Sequence, residues 1–190
     1  MIKRILGNSK GFTLVEMIIA VAIIGVIFIP ITNFYIYNLK YFNLSNQQIE
    51  AQRQAQFAIN SMVENAMGTK GLIAMESSAG TAVNIDTSTG TVEIKSISFK
   101  SLDYGTVLTY SLDEYNKLTL TTTVTDADGN TIETTTRDIA ENISQIRVTP
   151  SNDSFSKCLG LKVEVTSSLR ANGTKDVKNT VENEFYFRNK

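Results

Sequence analysis

The sequence predicts an α+β protein in which one long N-terminal helix precedes a domain of antiparallel strands. The chain carries an apolar run from Phe12 to Ile29, and an amphipathic stretch of helical period then continues to about Met67. After Leu72 the composition changes to short runs rich in Thr, Val and Ile, with turn residues between them. A helix packed on an antiparallel sheet is an α+β architecture.

The composition excludes several classes of enzyme. The 190 residues contain no histidine and one cysteine, Cys158, so the chain can hold no Ser-His-Asp triad, Cys-His dyad, His/Cys zinc site or internal disulfide. The net charge of −1 provides no global basic field that would attract nucleic acid. We therefore expect no enzymatic activity, no cofactor and no nucleic-acid partner, and we expect Cys158 to be a small core residue. A glycosidase that uses carboxylates alone is the one enzyme class that this composition leaves open.

The N-terminal segment has the pattern of a membrane anchor. Residues 1–11 carry Lys3, Arg4 and Lys10 without an acidic residue, and the apolar run that follows spans 18 residues. As a helix this run is about 27 Å long, close to the roughly 30 Å of a hydrocarbon core. Because basic flanks stay in the cytoplasm, the C-terminal part is expected outside, with a single membrane crossing.

Glu16 is the unusual residue of the apolar run. A carboxylate there costs a few kcal/mol, about 2.5–3.5 on the insertion scales, and needs a partner. No Lys or Arg occurs between Thr13 and Asn33. The expected partner is a cation from another chain or one created by processing, and cleavage after Gly11 would create the α-amino group of Phe12.

The residues Lys10-Gly11-Phe12-Thr13-Leu14-Val15-Glu16, followed by an apolar helix, resemble the type III signal of type IV prepilins and type II secretion pseudopilins. The resemblance implies that a membrane aspartyl protease, the prepilin peptidase, cuts after Gly11 and methylates the new amine of Phe12. It also implies that Glu16 neutralises an N-terminal amine when subunits dock. The alternative is a generic signal anchor that carries a Glu by accident.

Gly25 and Pro30 predict local softening of the helix. Proline removes an intrahelical hydrogen bond and favours a kink. Many pilins place such a proline where this chain has Asn33, three residues later, so the register of the softening is expected to differ.

The amphipathic stretch predicts that the helix continues beyond the membrane. One face carries a stripe of small and apolar residues: Ala51, Ala55, Ala58, Ile59, Met62 and Ala66. With Gly68 and Gly71 as C-terminal breakers, one helix from about Phe12 to Met67 is predicted. Two helices broken near Asn43 to Asn46 are the alternative.

The rest of the chain predicts a meander of strands. The predicted segments are Val92–Phe99, Thr106–Leu112, Leu118–Thr125, Thr131–Arg137, Ile143–Thr149, Leu159–Ser168 and Val181–Arg188. Within the first, Val92, Ile94, Ser96 and Ser98 are expected on one side, with Ile97 and Phe99 on the other. Turns are predicted at 126–130 and 171–173.

These elements give four predicted regions. They are a cytoplasmic leader of residues 1–11 that is removed, a transmembrane part of the helix at 12–29, an extracytoplasmic amphipathic helix at 30–71, and a β-rich head at 72–190.

Three further groups of residues are weak site candidates. Asp126, Asp128 and Asn130 alternate as in a calcium loop, but Gly129 and Arg137 occupy the wrong places for an EF-hand, so a hairpin turn is favoured. Asp103, Asp113 and Glu114 lie near Tyr104, Tyr110 and Tyr115, which suggests either a carbohydrate site or a surface turn with sheet tyrosines. The basic residues Lys157, Lys162, Arg170, Lys175 and Lys178 are interleaved with acidic ones and do not predict DNA binding.

The pattern Ile-Ala-Glu-Asn-Ile-x-x-Ile-x-Val ending at Val148, and the terminal Phe185-Tyr186-Phe187, are similar to the minor pilin W and pseudopilin J group. The resemblance implies a structural and assembly subunit, a minor pilin or pseudopilin, in a type IV pilus-like filament. Its partners would be the prepilin peptidase, other subunits and the membrane, before it enters an extracellular filament. The carboxylate of Glu16 predicts a position just below the tip. The alternative is an adhesin-like or DNA-uptake subunit that binds a ligand through its head.

Overall fold

A computed structural model describes residues 11–103, 105–169 and 176–188. The chain divides into two compact units, of which the first ends at Asn43 and the second begins at Leu44. The predicted turn at 171–173 lies outside the described residues, as do Tyr104, Arg170, Lys175 and residues 1–10 of the leader.

The helix α1 extends from Leu14 to Met67. It continues through Pro30 and through residues 43–46, so the alternative of two helices broken at that point is wrong. Its C-terminal end is closed by bonds from the Gly68 N–H to the Asn65 carbonyl and from the Thr69 hydroxyl to the Ala66 carbonyl. Such bonds satisfy carbonyl groups that the end of a helix leaves without partners.

Eight strands follow the helix among the described residues, and the predicted α+β, pilin-like architecture is confirmed. Their bounds are β1 Thr69–Ser77, β2 Val92–Ser101, β3 Thr106–Leu112, β4 Leu118–Thr125, β5 Thr131–Ala140, β6 Ile143–Pro150, β7 Gly160–Leu169 and β8 Val177–Tyr186.

The strand β1 was not predicted from the sequence. Its buried and exposed residues do not alternate, because its pairing with β2 shifts register three times. Gly71 lies inside this strand with a φ of 129°, so it is not a helix breaker. The β-rich part therefore begins at Thr69, ahead of the expected boundary at residue 72.

The sheet is not the simple meander that was predicted. Its order is β5-β4-β3-β2-β6-β7-β8, with β1 paired to β2 outside this path. Ile94 is paired with both Ser77 of β1 and Ile146 of β6, so β1 and β6 lie on opposite edges of β2. Lys100 is likewise paired with both β1 and β3. Two three-stranded meanders, β3–β5 and β6–β8, therefore begin end to end on the same edge of β2.

The predicted alternation in β2 is wrong at one position. Ile94 is 2% exposed and is buried with Ile97 and Phe99, whereas Ser96 and Ser98 are half-buried. The spacing of three between Ile94 and Ile97 coincides with a register shift beside Lys95. An irregularity of this kind turns the following residues to the opposite face, and it lies where β6 gives way to β3 along the edge of β2.

The core of the second unit lies between α1 and the sheet. All six predicted stripe residues, Ala51, Ala55, Ala58, Ile59, Met62 and Ala66, are fully buried. Cys158 is also buried, as predicted, and its thiol donates to the Phe155 carbonyl. The Phe187 ring packs edge-on against Phe185 with centroids 5.5 Å apart, which covers one end of the core.

Candidate functional site

The backbone before the helix is open and accessible. Gly11, Phe12 and Thr13 belong to no helix or strand, and Phe12 is 81% exposed. A Cβ atom added to Gly11 would meet no other atom within 4 Å. The Gly11–Phe12 peptide bond therefore precedes the hydrogen-bonded helix, in a segment whose described residues are exposed.

Thr13 and Glu16 form a capping box at the first turn of the helix. The Glu16 carboxylate accepts hydrogen bonds from the Thr13 N–H at 2.9 Å and from the Thr13 hydroxyl at 3.0 Å. In return the Glu16 N–H donates to the Thr13 hydroxyl oxygen at 3.3 Å. A capping box supplies partners to backbone donors that a helix terminus leaves unpaired.

This arrangement was missed in the sequence, although its signal is present as the pattern Thr-x-x-Glu ahead of an apolar run. The partners expected for Glu16 from the sequence were cations. Within the described ranges no ion pair involves Glu16, yet two neutral donors of its own chain contact it. A subunit without a neighbour above it would thus still have hydrogen-bond partners for Glu16. The inference that this carboxylate places the subunit below the tip does not follow.

The first unit exposes its apolar side chains along the helix. An 18-residue window has a mean hydropathy of 2.8, and none of it is buried, so by length and composition the helix could cross a membrane. Gly25 leaves a shallow groove beside Val21, Phe28 and Ile29. The helix passes through Gly25 and Pro30 without a break, and the predicted softening there stays a prediction.

The loop at Asp126 is a hairpin turn. The Asp126 carboxylate accepts hydrogen bonds from the Asp128 N–H at 3.0 Å, the Asn130 N–H at 2.8 Å and the Asn130 side-chain amide at 3.1 Å. The Asn130 side chain and backbone N–H hold the pKa of the Asp126 carboxyl below its ordinary value. Gly129 has the positive φ of 84° that such a turn favours.

The described residues contain no group of side chains suited to hold a metal ion. Across residues 11–103, 105–169 and 176–188, no three His, Cys, Asp or Glu side chains are placed to hold a metal ion. The Asp126 carboxylate accepts its hydrogen bonds from the Asp128 and Asn130 N–H groups and the Asn130 side-chain amide.

The tyrosines near Asp113 do not form a common surface. Tyr110 is 1% exposed and Tyr115 is 88% exposed. Asp113 accepts hydrogen bonds from the Tyr115 and Lys117 N–H groups, as in a surface turn. The turn is therefore the correct reading of this segment.

Residues 6–32 match the family described as "Prokaryotic N-terminal methylation motif". The matched range includes the open backbone at Gly11, the exposed Phe12 and the capping carboxylate of Glu16. No curated protein and no solved structure matched the chain. The match supports a type IV prepilin-like protein, a pilin or pseudopilin subunit that is processed by a peptidase and anchored by its apolar helix.

Proposed function

We propose that this chain is a minor pilin or pseudopilin of a type IV pilus-like filament, cut after Gly11 and methylated on the new amine of Phe12. Its C-terminal head would lie outside the cytoplasmic membrane until the subunit enters the filament. The observation that carries the proposal is the methylation-motif match over residues 6–32, on a helix whose apolar surface is uncovered.

The uncovered helix supports assembly as well as anchoring. The exposed large apolar side chains of the first unit keep between 44% and 81% of their surface accessible, for example Leu14 at 76% and Phe28 at 65%. Apolar surface of this extent must be covered by lipid or by other helices. The groove beside Gly25 allows a neighbouring helix to approach closely, since small residues favour helix packing in membranes.

The capping box gives Glu16 two successive roles in this proposal. In a separate subunit its carboxylate accepts hydrogen bonds from Thr13. During docking the amine of another subunit would replace or join these donors, because an ammonium group adds Coulomb attraction to the hydrogen bond, which the neutral Thr13 donors do not supply. The same residue would thus stabilise the first helical turn and bind the incoming subunit.

The helix surface of the second unit supports lateral contacts. Ile49 and Phe57 are 61% and 49% exposed, and the Arg53 guanidinium lies 5.3 Å from the Phe57 ring centroid. Arg53 also forms a 2.7 Å ion pair with Glu50. Ile49, Arg53 and Phe57 are spaced by four residues and lie on one face of the helix. This face offers apolar and charged groups to neighbouring subunits.

Intact-mass analysis of protein extracted from membranes tests the proposal. The expected mature chain begins at Phe12 and carries one N-methyl group, and it is recovered in sheared surface filaments. A matched pair of variants locates the cut: Gly11→Val should block processing, and Gly25→Val should leave it unchanged. A mature N-terminus beyond Ile29 would show that the segment is an ordinary signal sequence instead.

A further inference from the structure

The second unit contains a cavity of about 480 Å³ at one end of the sheet. It lies where β1 and β3 begin and where β2 and β4 end, so four strands contribute to its lining. Pockets for small molecules have volumes of roughly 300–1,000 Å³. The cavity is thus large enough for a single sugar unit.

The floor of the cavity is fixed by a close approach of two strands. Gly105 has a φ of 72°, and a Cβ atom on it would collide with the Thr125 carbonyl oxygen. The Gly105 carbonyl accepts hydrogen bonds from the Thr125 N–H at 2.9 Å and from the Thr125 hydroxyl at 3.0 Å. A floor held in this way needs no reordering when a ligand binds.

Two lysine residues line the cavity and could bind an anionic group of a ligand. Lys70 and Lys100 line it, and neither belongs to an ion pair among the described residues. Asp126 also lines the cavity, and its carboxylate accepts hydrogen bonds from Asn130 within its own turn. Lysine ammonium groups bind carboxylates and phosphates by charge-assisted hydrogen bonds.

The remaining lining suits the rest of a sugar ring. Ile73 and Val107 provide aliphatic surface for ring C–H groups, and the hydroxyl of Thr106 and the carboxylate of Asp103 can bond to sugar hydroxyls. A bare phosphate ion would use the lysines alone and leave the apolar wall uncovered. A nucleic acid would need a wider basic surface, which a chain of net charge −1 lacks.

We propose that this cavity binds an acidic sugar unit of the uronic-acid class, with its carboxylate between Lys70 and Lys100 and its ring against Ile73 and Val107. The site is separate from the segments that anchor and assemble the subunit. It would let an extracytoplasmic filament adhere to a polysaccharide that carries carboxylates.

Calorimetric titration of the detergent-solubilised, processed full chain tests this site. The probes are a trimer of galacturonic acid, the neutral trimer of galactose, and inorganic phosphate. We expect saturable binding of the galacturonate trimer, with the neutral trimer about tenfold weaker or more, because hydrogen bonds to charged groups are the stronger ones. Phosphate binding as tight as that of the acidic trimer would overturn the sugar assignment.

Matched lysine variants complete the test. Lys70→Gln and Lys100→Gln should each weaken binding of the acidic trimer by about tenfold. Lys95→Gln and Lys178→Gln change exposed lysines that do not line the cavity, and they should bind like the unmodified chain. Equal binding by all four variants would overturn the proposal. Because Phe12 processing and filament entry are measured separately, such a failure would leave the proposed assembly function intact.

Discussion

The phenol of Tyr110 on β3 donates a hydrogen bond of 2.7 Å to the backbone carbonyl of Ser61 on α1. The same phenolic oxygen accepts a 2.7 Å hydrogen bond from the Asn65 side-chain amide. Tyr110 is 1% exposed, so these bonds are shielded from water. They fix one point of the helix against one point of the sheet, beside a core of apolar side chains that have no directional preference.

Tyr110→Phe should destabilise the head by about 1–2 kcal/mol, because it removes one buried hydrogen-bond partner and leaves the Asn65 amide with fewer acceptors. Urea unfolding of a fragment that begins at Ser45, followed by circular dichroism, measures this change. The control is Tyr115→Phe, since Tyr115 is 88% exposed and should unfold like the unmodified fragment. Equal unfolding midpoints for the two variants would contradict a structural role for the Tyr110 hydroxyl.

Alkaline pH should weaken the head through the same residue. Burial raises the pKa of the Tyr110 phenol, against the smaller lowering effect of the bonds to Ser61 and Asn65. The folded state therefore holds this proton more tightly than the unfolded chain does, and stability falls as pH rises above about 10. In Tyr110→Phe this part of the pH dependence should disappear, which stability curves between neutral and alkaline pH can measure.

The head should fold without the membrane part of the helix but not without the buried stripe. A fragment from Ser45 keeps the fully buried stripe that runs from Ala51 to Ala66, and we expect it to be soluble, monomeric and cooperatively folded, with or without reducing agent. A fragment from Gly68 keeps all of β1 but exposes the core face of the sheet. It should aggregate or remain unfolded. A cooperative unfolding transition in the shorter fragment would show that the sheet does not need the helix.

Glu16→Gln separates the two proposed roles of this side chain. Glutamine can still complete a capping box with Thr13, but it carries no charge to bind an amine. Membrane insertion and cleavage after Gly11 should be unchanged, and incorporation into filaments should fall by about tenfold or more, since loss of one partner of a buried charge pair costs roughly 2–5 kcal/mol. Quantitative immunoblots of sheared filaments and membranes measure the ratio.

Thr13→Ala is the complementary variant. It removes the hydroxyl that bonds to Glu16 but keeps the carboxylate, so only a minor loss of incorporation is expected. If Glu16→Gln enters filaments normally while Thr13→Ala does not, the carboxylate serves the helix terminus and not docking.

A minor subunit should be rare in the filament. Quantitative mass spectrometry of sheared filaments is expected to find this chain at a small fraction of the most abundant subunit. An equal copy number would refute the minor role but not the processing at Gly11.

Local sequence patterns predicted the helix and strand bounds better than they predicted which strands pair with each other. The stripe from Ala51 to Ala66 and the bounds of β3 and β4 are correct, because burial on one face imposes a period that the sequence displays. The β2–β6 pairing was missed, since it joins segments separated by three other strands and leaves no local pattern. The bulge beside Lys95 was missed because regular alternation was assumed.

The sequence indicated the candidate residues of the N-terminal motif but not the cavity in the sheet. Gly11, Phe12 and Glu16 lie within one segment of six residues, so the sequence alone indicates them as candidates. The capping bond of Thr13 had a recognisable signal that was not considered. The cavity at Lys70 and Lys100 draws on four strands, and residues so far apart in the chain cannot be brought together before the topology is known.

The position of β2 between the two meanders also bears on how the head folds. Six of the seven strand pairings join strands that are consecutive in the chain, and the exception is β2 with β6, through Val92 to Ile94. Pairing of Val92 with Val148 closes a loop that contains all of β3, β4 and β5. Closing this long loop costs conformational entropy before the β2–β6 contact can stabilise the structure. The short β2–β6 ladder should therefore form late and limit the folding rate. The first five strands can pair in the order in which they are synthesised, and the segment from Val92 to Ile94 would keep one edge unpaired until β6 is available.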